Sequence, residues 1–502
     1  MPKTNNLLLG PLLGLESDTH YTVCFAVPST VQQAAVQFTI GGQAMNAAAQ
    51  CLTTTAQWGF WRADIQVPVS ATAQQCVYTV LLNGLGATSQ QGLSHWVFEV
   101  PGSSQAPRLA YASCNGFSDA KLMKNTAQPF ALWAKLLQDH GQQPFHLLLM
   151  GGDQVYADSL WGSVPLLKRW SALPKEQKCT LKPSQKELAD LQSAYFNLYL
   201  ERWNEPSTAQ ALATIPSLMM WDDHDIVDGW GSYSDDLQRS AVMQAAFQAA
   251  NAAFQLFQLR GRLANTTLLD PQATHHSALL RFRGLNILAL DNRSDRSLNR
   301  IMGDNHWQTV INTLNTLIGS DLLVMSGVPV VYRDFSFVEQ TLDTLPGDQE
   351  LTDDLKDHWR ARAHQGERAR LIMRLLDNTR QRKSALGKAR TVLLSGDVHV
   401  GCIGVVQDST DDTPINLHQV VSSGIVHPAP NALQWAGIVA ITNDREETLD
   451  ENGHIRSRML TPFGSSTYLR TRNYATLQEG TDGKLWVNWV CENGDQPHYP
   501  LA

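Results

Sequence analysis

The sequence predicts an α/β protein with an all-β domain of immunoglobulin or fibronectin type at its amino terminus. Three observations support that class. About six short β-branched and aromatic runs fill the first hundred or so residues. A Pro/Gly/Ser stretch, PGSSQAP at 101–107, then breaks the pattern. Beyond it, short apolar runs that end in polar loops alternate with helical stretches, the signature of an α/β unit. The expected division is therefore a β-sandwich over 1–105 and a larger unit over 106–502. A chain of 502 residues is in any case too long for one small core.

Five of the amino-terminal runs are YTVCFAV, AVQFTI, GFWRADIQVPV, CVYTVLLNG and HWVFEV, separated by polar or glycine-containing turns. They contain no cluster of catalytic residue types. In the larger unit the strand candidates are RLAYASCNG, FHLLLMGGDQVYAD, SLMMWDDHD, NILALDNRS, DLLVMSGVP, TVLLSGDVHVG and LHQVVSSGIVHP. The clearest helix spans 185–204, with apolar residues at Leu188, Leu191, Tyr195, Leu198 and Tyr199. Ser184 and Glu187 supply a capping box at its start. Further helices are expected near 237–260 and within 352–383. In the last of these, Asp353, Asp354 and Asp357 suit the first turn. Arg360, Arg362, Arg368, Arg370 and Arg374 suit a solvated face that also steers anions.

Composition narrows the function. The chain is 43% apolar and 17% charged, as in ordinary globular proteins. A net charge of -8 and a pI near 6.0 exclude a general nucleic-acid binder, which needs a basic face. Seven scattered cysteines with no CxxC pair fit a reducing compartment, and a Cys51–Cys76 bridge is not expected. No run approaches the ~18 apolar residues of a membrane span. The start shows neither a signal peptide nor a twin-arginine pair, so the expectation is a cytoplasmic protein, with export left open.

The strand ends carry the chemistry. They offer Cys114, Asp153 with Tyr156, then Asp222, Asp223, His224 and Asp225, then Asp291 with Arg293, and finally Asp397 with His399. One aspartate after a strand is usually a turn or cap residue, but several strand ends supplying metal-ligand types together point to a metal centre. The glycines of GGDQVYAD turn the chain so that Asp153 projects, and Tyr156 follows three residues later. In GDVHVG, the pair Asp397 and His399 can serve two adjacent ions. Four carboxylates crowded into DDHDIVD repel one another unless a cation is near. THH at 274–276 reads as surface or hairpin polarity. There is no P-loop and no G-x-S-x-G elbow, so a covalent serine mechanism has no support.

Taken in order, S-C-N-G, strand-GD-x-x-Y, D-D-H-D and G-D-x-H resemble the PhoD-like alkaline phosphatases of the calcineurin-like metallophosphoesterase superfamily. LDNRSDRS, HWQTVINTL and VMSGVPVV extend the likeness, which covers about 107–502. The resemblance implies a four-layer α-β-β-α sandwich with two metal ions and a bridging oxygen ligand. Asp153 would bridge the metals. Cys114, Tyr156 and His399 would complete the first site, and Asp223 and Asp397 would bind the second metal. Carboxylates stand where relatives have nitrogen donors, which makes the second site harder. The expected pair is Fe³⁺ with Ca²⁺, with Mn²⁺, Mg²⁺ and Zn²⁺ as alternatives.

The implied reaction is attack of a metal-activated water on a phosphate ester, in line with the leaving oxygen. His224 would contact the phosphate or protonate the leaving group, and Asp225 would orient it. Arg293 would clamp the phosphate or else pair with Asp291 or Asp295. Asn115 is counted with the catalytic residues, and it, Asp158, Asp222 and Asp228 are support or ligands. The substrate expected is a small-molecule, lipid or polymer phosphate ester. A phosphodiesterase acting on a nucleotide, lipid or polyol phosphate is the second reading, and a non-catalytic binding protein with a degenerate site is the third. The sequence leaves the oligomeric state open.

Overall fold

A computed structural model describes residues 5–334 and 358–501. Residues 9–100 form strands only: β1 (Leu9–Leu15), β2 (His20–Pro28), β3 (Ala34–Ile40), β4 (Gln43–Thr54), β5 (Trp58–Gln66), β6 (Gln74–Leu82), the short β7 (Leu85–Gly86) and β8 (Trp96–Val100). The larger unit opens with three parallel strands, β9 (Leu109–Ala112), β10 (Leu147–Gly151) and β11 (Ser217–Met220). A second sheet holds β12 (Ala278–Phe282), β13 (Leu285–Ala289), β14 (Asp321–Met325), β15 (Arg390–Ser395), β16 (Gly401–Asp408) and β17 (Ile415–Val421). Its far edge is completed by β18 (Glu447–Thr448), β19 (Ile455–Met459) and β20 (Tyr468–Leu469). The chain then returns to the first sheet with β21 (Asn473–Glu479), β22 (Leu485–Cys491) and β23 (His498–Leu501).

The protein is thus a mixed α/β fold with two sheets. The first runs β23-β22-β21-β9-β10-β11-β1-β2-β5-β4-β3-β6-β7, with β8 on β6. The second runs β12-β13-β14-β15-β17-β16-β19-β18, with β13, β14, β15 and β17 parallel. These parallel strands are continuous apolar runs because both faces are covered. Period-two alternation sorts the side chains. Ile287, Ala289, Leu323, Met325, Val392 and Leu394 pack inward with the first sheet. Leu288, Leu290, Leu322, Val324 and Leu393 pack outward, against Trp307 and Val310 of the helix Asp304–Thr316 and Leu371 and Leu375 of the helix Gln365–Leu386.

The boundary expected near 105 falls in the connection between β8 and β9, and one core runs across it. β1 pairs parallel with β11 at Gly14 and Ser217, and the Tyr78 hydroxyl donates to the Ala213 carbonyl at 2.6 Å. The capped helix Gln185–Arg202 and the helix Ala241–Phe257 pack together. Their Phe196 and Phe257 rings lie edge-on to Trp58 and Phe60 of β5, respectively.

Three expectations need correction. The arginine-rich helix begins at Gln365, and Arg360 and Arg368 are buried rather than solvated. Both guanidinium groups converge on Glu447, at 3.2 and 2.9 Å. Such long side chains are buried because an acid on a neighbouring strand neutralises them. Asp353, Asp354 and Asp357 lie outside the described residues. His275 and His276 are also buried. His276 contacts the Asn251 amide oxygen at 2.8 Å, and His275 stacks on His306 at 3.9 Å. The seven cysteines are free thiols.

Candidate metal centre

The polar strand ends meet at the carboxyl edges of both sheets. Cys114 follows β9, Asp153 follows β10, Asp222 to Asp225 follow β11, Arg293 follows β13, and Asp397 and His399 follow β15. Among the described residues eight non-glycine positions take positive φ, and four of them are Cys114 (52°), Asp153 (53°), Asp397 (67°) and His399 (53°). The left-handed region is unfavourable for residues with a Cβ, so its recurrence at these four positions marks backbone held for a purpose other than stability.

The donor atoms fall into three overlapping groups, in each of which all atoms lie within 4.8 Å of one another: Cys114, Asp153 and His399; Asp153, Asp223 and His224; and Asp222, Asp223 and Asp397. Asp153 and Asp223 each belong to two groups and so join the set into one continuous wall. Asp153 is 1% exposed, and its Oδ1 has no hydrogen-bond partner. Burial and the neighbouring carboxylates hold its pKa well above the ordinary carboxyl range, despite the opposing effect of His224. A buried acceptor left unpaired is costly, and a cation is the partner that suits it. The donor set of thiol, imidazole, phenol and carboxylates fits metal ligation.

Aromatic stacking shapes the sulfur end. The Tyr156 ring stacks on His224 at 4.2 Å, and its hydroxyl lies 3.3 Å from His399 Nε2. Gly116 permits this placement, because a Cβ there would sit 2.4 Å from the Tyr156 ring. His427, which sequence reasoning missed, stacks on His399 at 3.6 Å. Its loop crosses between the sheets: the His427 backbone N–H donates to the Cys114 carbonyl at 3.1 Å, and the Ser423 hydroxyl donates to the His399 carbonyl at 2.8 Å. A single histidine after a strand carries little signal on its own. Its position at the end of LHQVVSSGIVHP, on the same edge as the other ligand types, was the available clue. Burial, with the charge of His224, lowers the His427 pKa to about 3. Burial, His427 and His224 likewise lower that of His399. Burial pushes the Cys114 thiol and Tyr156 phenol up.

The aspartate end contains its own cation. Arg293 is fully buried, its Nε donates to Asp222 and its Nη2 to Asp223 at 3.2 Å, while Nη1 donates to the Trp230 carbonyl at 3.0 Å. Asp222 and Asp223 thus engage the guanidinium expected to clamp a phosphate or to pair with Asp291 or Asp295. The guanidinium is fully buried, whereas Asp397 and His399 are partly exposed. Gly327 makes room on the other side, since a Cβ there would meet the Asp222 carboxylate at 2.4 Å.

His224 is oriented by Asp158, not by Asp225. Its Nδ1 lies 2.9 Å from Asp158 Oδ2, and the same aspartate accepts the Asp228 N–H at 3.3 Å. Burial alone would lower the His224 pKa. The Asp158 and Asp223 carboxylates outweigh it and hold the imidazole well above its ordinary value. Asp225 turns under the site in a short 3₁₀ turn. There it accepts from Asp222 N–H at 2.9 Å, from Gln154 N–H at 3.3 Å and from the Gln258 amide at 2.8 Å. Burial raises its pKa to about 7 in spite of those donors. Asn115, expected among the catalytic residues, is locked in the scaffold: it accepts from the Trp133 indole at 2.8 Å and donates to the Gln154 carbonyl at 3.3 Å.

Comparison with known proteins agrees with this architecture. The family described as PhoD related phosphatase matches residues 83–346 and 343–461. An uncharacterized protein of Saccharomyces cerevisiae is 26% identical over 462 residues, covering 74% of this chain. The chain spans 63% of that protein's length. The solved structure of PhoD superimposes with a TM-score of 0.61 at 14% identity, covering 100% of this chain and 90% of PhoD. The purple acid phosphatase PPD1 from seeds of yellow lupin (Lupinus luteus) gives 0.51 at 10% identity, covering 98% and 74%. The two structures share the fold, and the family match extends over well more than half of the sequence. The chain belongs to the PhoD-related phosphatase family.

Proposed function

We propose that the protein is a metal-dependent phosphoric ester hydrolase. The observation that carries this reading is the unbroken series of three donor groups joined through Asp153 and Asp223. In this reading residues 106–502 form the catalytic unit, a four-layer α-β-β-α sandwich, and residues 1–105 a β-sandwich attached at one edge. Cys114, Asp153, Tyr156 and His399 would hold one ion, with Fe³⁺ suited to the sulfur, nitrogen and phenolate donors. Asp153, Asp223 and Asp397 would hold a second, with Ca²⁺ suited to carboxylate oxygen, and Mn²⁺, Mg²⁺ or Zn²⁺ as alternatives. When bound, such ions supply an acidified water and offset the charge of a phosphate group.

The chain's own residues supply the rest. His224, kept protonated by Asp158, presents Nε2 as donor to the phosphate or to the departing alkoxide. Asp158 fixes the imidazole orientation through Nδ1. Arg293 pairs with Asp222 and Asp223 and holds their carboxylates in place. The test combines elemental analysis with hydrolysis of chromogenic phosphate monoesters and diesters by the same sample. The reading requires bound metal and turnover of at least one ester class. A fully metal-loaded protein inert toward both classes would overturn it.

A further inference from the structure

A histidine that ligates a metal through one ring nitrogen is ordinarily held by a hydrogen bond on the other. His399 lacks that bond among the described residues. Its Nε2 faces the Tyr156 hydroxyl at 3.3 Å, and Nδ1 has no partner in the protein. The face of the ring is covered instead. His427 lies nearly parallel to it, with 3.6 Å between ring centroids and 14° between planes. The stacking continues from His427 to Tyr156, at 5.6 Å and 16°, and from Tyr156 to His224. Stacked rings thus connect the phosphate donor of the hydrolase reading to the ligands at the sulfur end. His427 belongs to none of the three donor groups.

His427 is anchored independently of His399. Its Nδ1 lies 2.9 Å from the Pro428 carbonyl, which can only accept, so Nδ1 carries the proton. Nε2 is then the acceptor, 3.4 Å from the Ser118 hydroxyl. The loop is tied to both sheets. Ser422 N–H donates to the Ser395 carbonyl at 3.0 Å in the second, and Ile425 N–H donates to the Ser113 carbonyl at 3.0 Å beside the first. Gly424 closes the turn, since a Cβ there would sit 2.6 Å from the His427 carbonyl. We propose that His427 is a positioning residue for the ion held by Cys114, Asp153, Tyr156 and His399. Its ring, in place of a hydrogen bond, sets the plane of the His399 imidazole and with it the affinity of that end for metal. The inference rests on the ligand assignment of the hydrolase reading, and it is read from metal binding rather than from turnover.

Two substitutions separate the ring from its nitrogens. His427→Phe keeps a stacking ring and removes both nitrogens, whereas His427→Gln keeps a donor for the Pro428 carbonyl and removes the ring. Iron affinity is measured by competition with a chelator, calcium affinity by calorimetry, and folding by thermal melting. The Gln variant should lose about 10- to 100-fold in iron affinity and keep its calcium affinity. Its visible absorption band should shift at equal iron content. The Phe variant should stay within about three-fold of the wild type and keep the wild-type band. Ser118→Ala, which removes only the contact to Nε2, should match the wild type. Wild-type iron affinity and absorption in the Gln variant would overturn the inference and leave the hydrolase reading intact. So would equal losses in Phe and Gln variants that both melt like the wild type. If the Gln variant does not fold, the Phe variant decides alone: retained iron affinity supports the stack, and lost affinity overturns it. A wild type without affinity for iron would remove the inference together with its ligand set. Iron binding with no ester turned over would instead sink the hydrolase reading alone.

Discussion

The two ends of the candidate centre are built on opposite electrostatic plans. At the sulfur end, Cys114, Tyr156 and His399 are pushed by burial toward their neutral forms, and rings rather than charges hold them: His427 against His399, His224 against Tyr156. At the aspartate end, Asp222 and Asp223 are held by a buried guanidinium, with Asp397 beside them. One end is held in neutral forms by burial and stacking, and the other by pairing of opposite charges. Asp153 stands between them with an unpartnered oxygen and belongs to donor groups at both ends. Ligand types alone therefore describe the site poorly, because the same acidic or imidazole group is neutral or ionised according to what the fold places behind it.

Removing the shared residue gives the largest effect. Asp153→Asn keeps the shape and deletes the charge that both ends use, so kcat should fall by about 10³–10⁴-fold, equivalent to roughly 4–5.5 kcal/mol. Elemental analysis should show metal lost along with activity. An active variant with full metal content would mean that the two ends function separately and that Asp153 joins nothing.

The next effect separates the ends by stability. Arg293→Met removes the internal cation and leaves Asp222 and Asp223 buried with less compensation, which should cost about 3–5 kcal/mol in urea unfolding. Added Ca²⁺ should restore part of that loss, because a cation at the aspartate end substitutes for the guanidinium. Cys114→Ser, at the end built from neutral groups, should be milder in metal-free protein and insensitive to Ca²⁺. Equal, calcium-independent losses in the two variants would break the contrast.

Much of this arrangement was legible in the sequence, and the failures have a common cause. The strand ends could be found because glycine-flanked aspartates in GGDQVYAD and LSGDVHVG punctuate buried runs, and a parallel sheet collects such ends on one edge. What failed was the direction of side chains within a turn. Asp225 neighbours His224 in sequence, yet the 3₁₀ turn Asp223–Asp225 sends its carboxylate beneath the loop to cap Asp222 and Gln154. Asp158, at the first turn of another helix, reaches the imidazole from across the cleft. Arg293 and Arg368 failed similarly: a buried arginine is recognisable only once its acid, on a distant element, is known. His427 is a spatial neighbour of His399 with no sequence spacing to announce it.

Because the Asp158 assignment came from geometry, it has its own test of intermediate size. Asp158→Asn should leave both metals bound but lower kcat by about 10²-fold, the scale of a general acid losing its orientation and proton affinity. The acid form of His224 should then be lost at lower pH, since the partner that raises its pKa has gone. Asp225→Asn should act differently, lowering stability while leaving the position of the pH profile unchanged. If Asp225 rather than Asp158 moved the profile, the orientation assigned to His224 would be wrong.

The smallest effect probes the neutral end most directly. Tyr156→Phe keeps the ring that stacks on His224 and removes only the hydroxyl that lies 3.3 Å from His399 Nε2. With carboxylate, thiolate and imidazole donors remaining, activity should drop about 10-fold, near 1.4 kcal/mol. A phenolate on ferric iron absorbs visible light by charge transfer, so the purified wild type should be coloured and the variant bleached at equal iron content. A colourless, active wild type holding zinc at both positions would refute the iron assignment. It would also weaken the electrostatic contrast, since two like divalent ions would not need one end neutral and the other acidic.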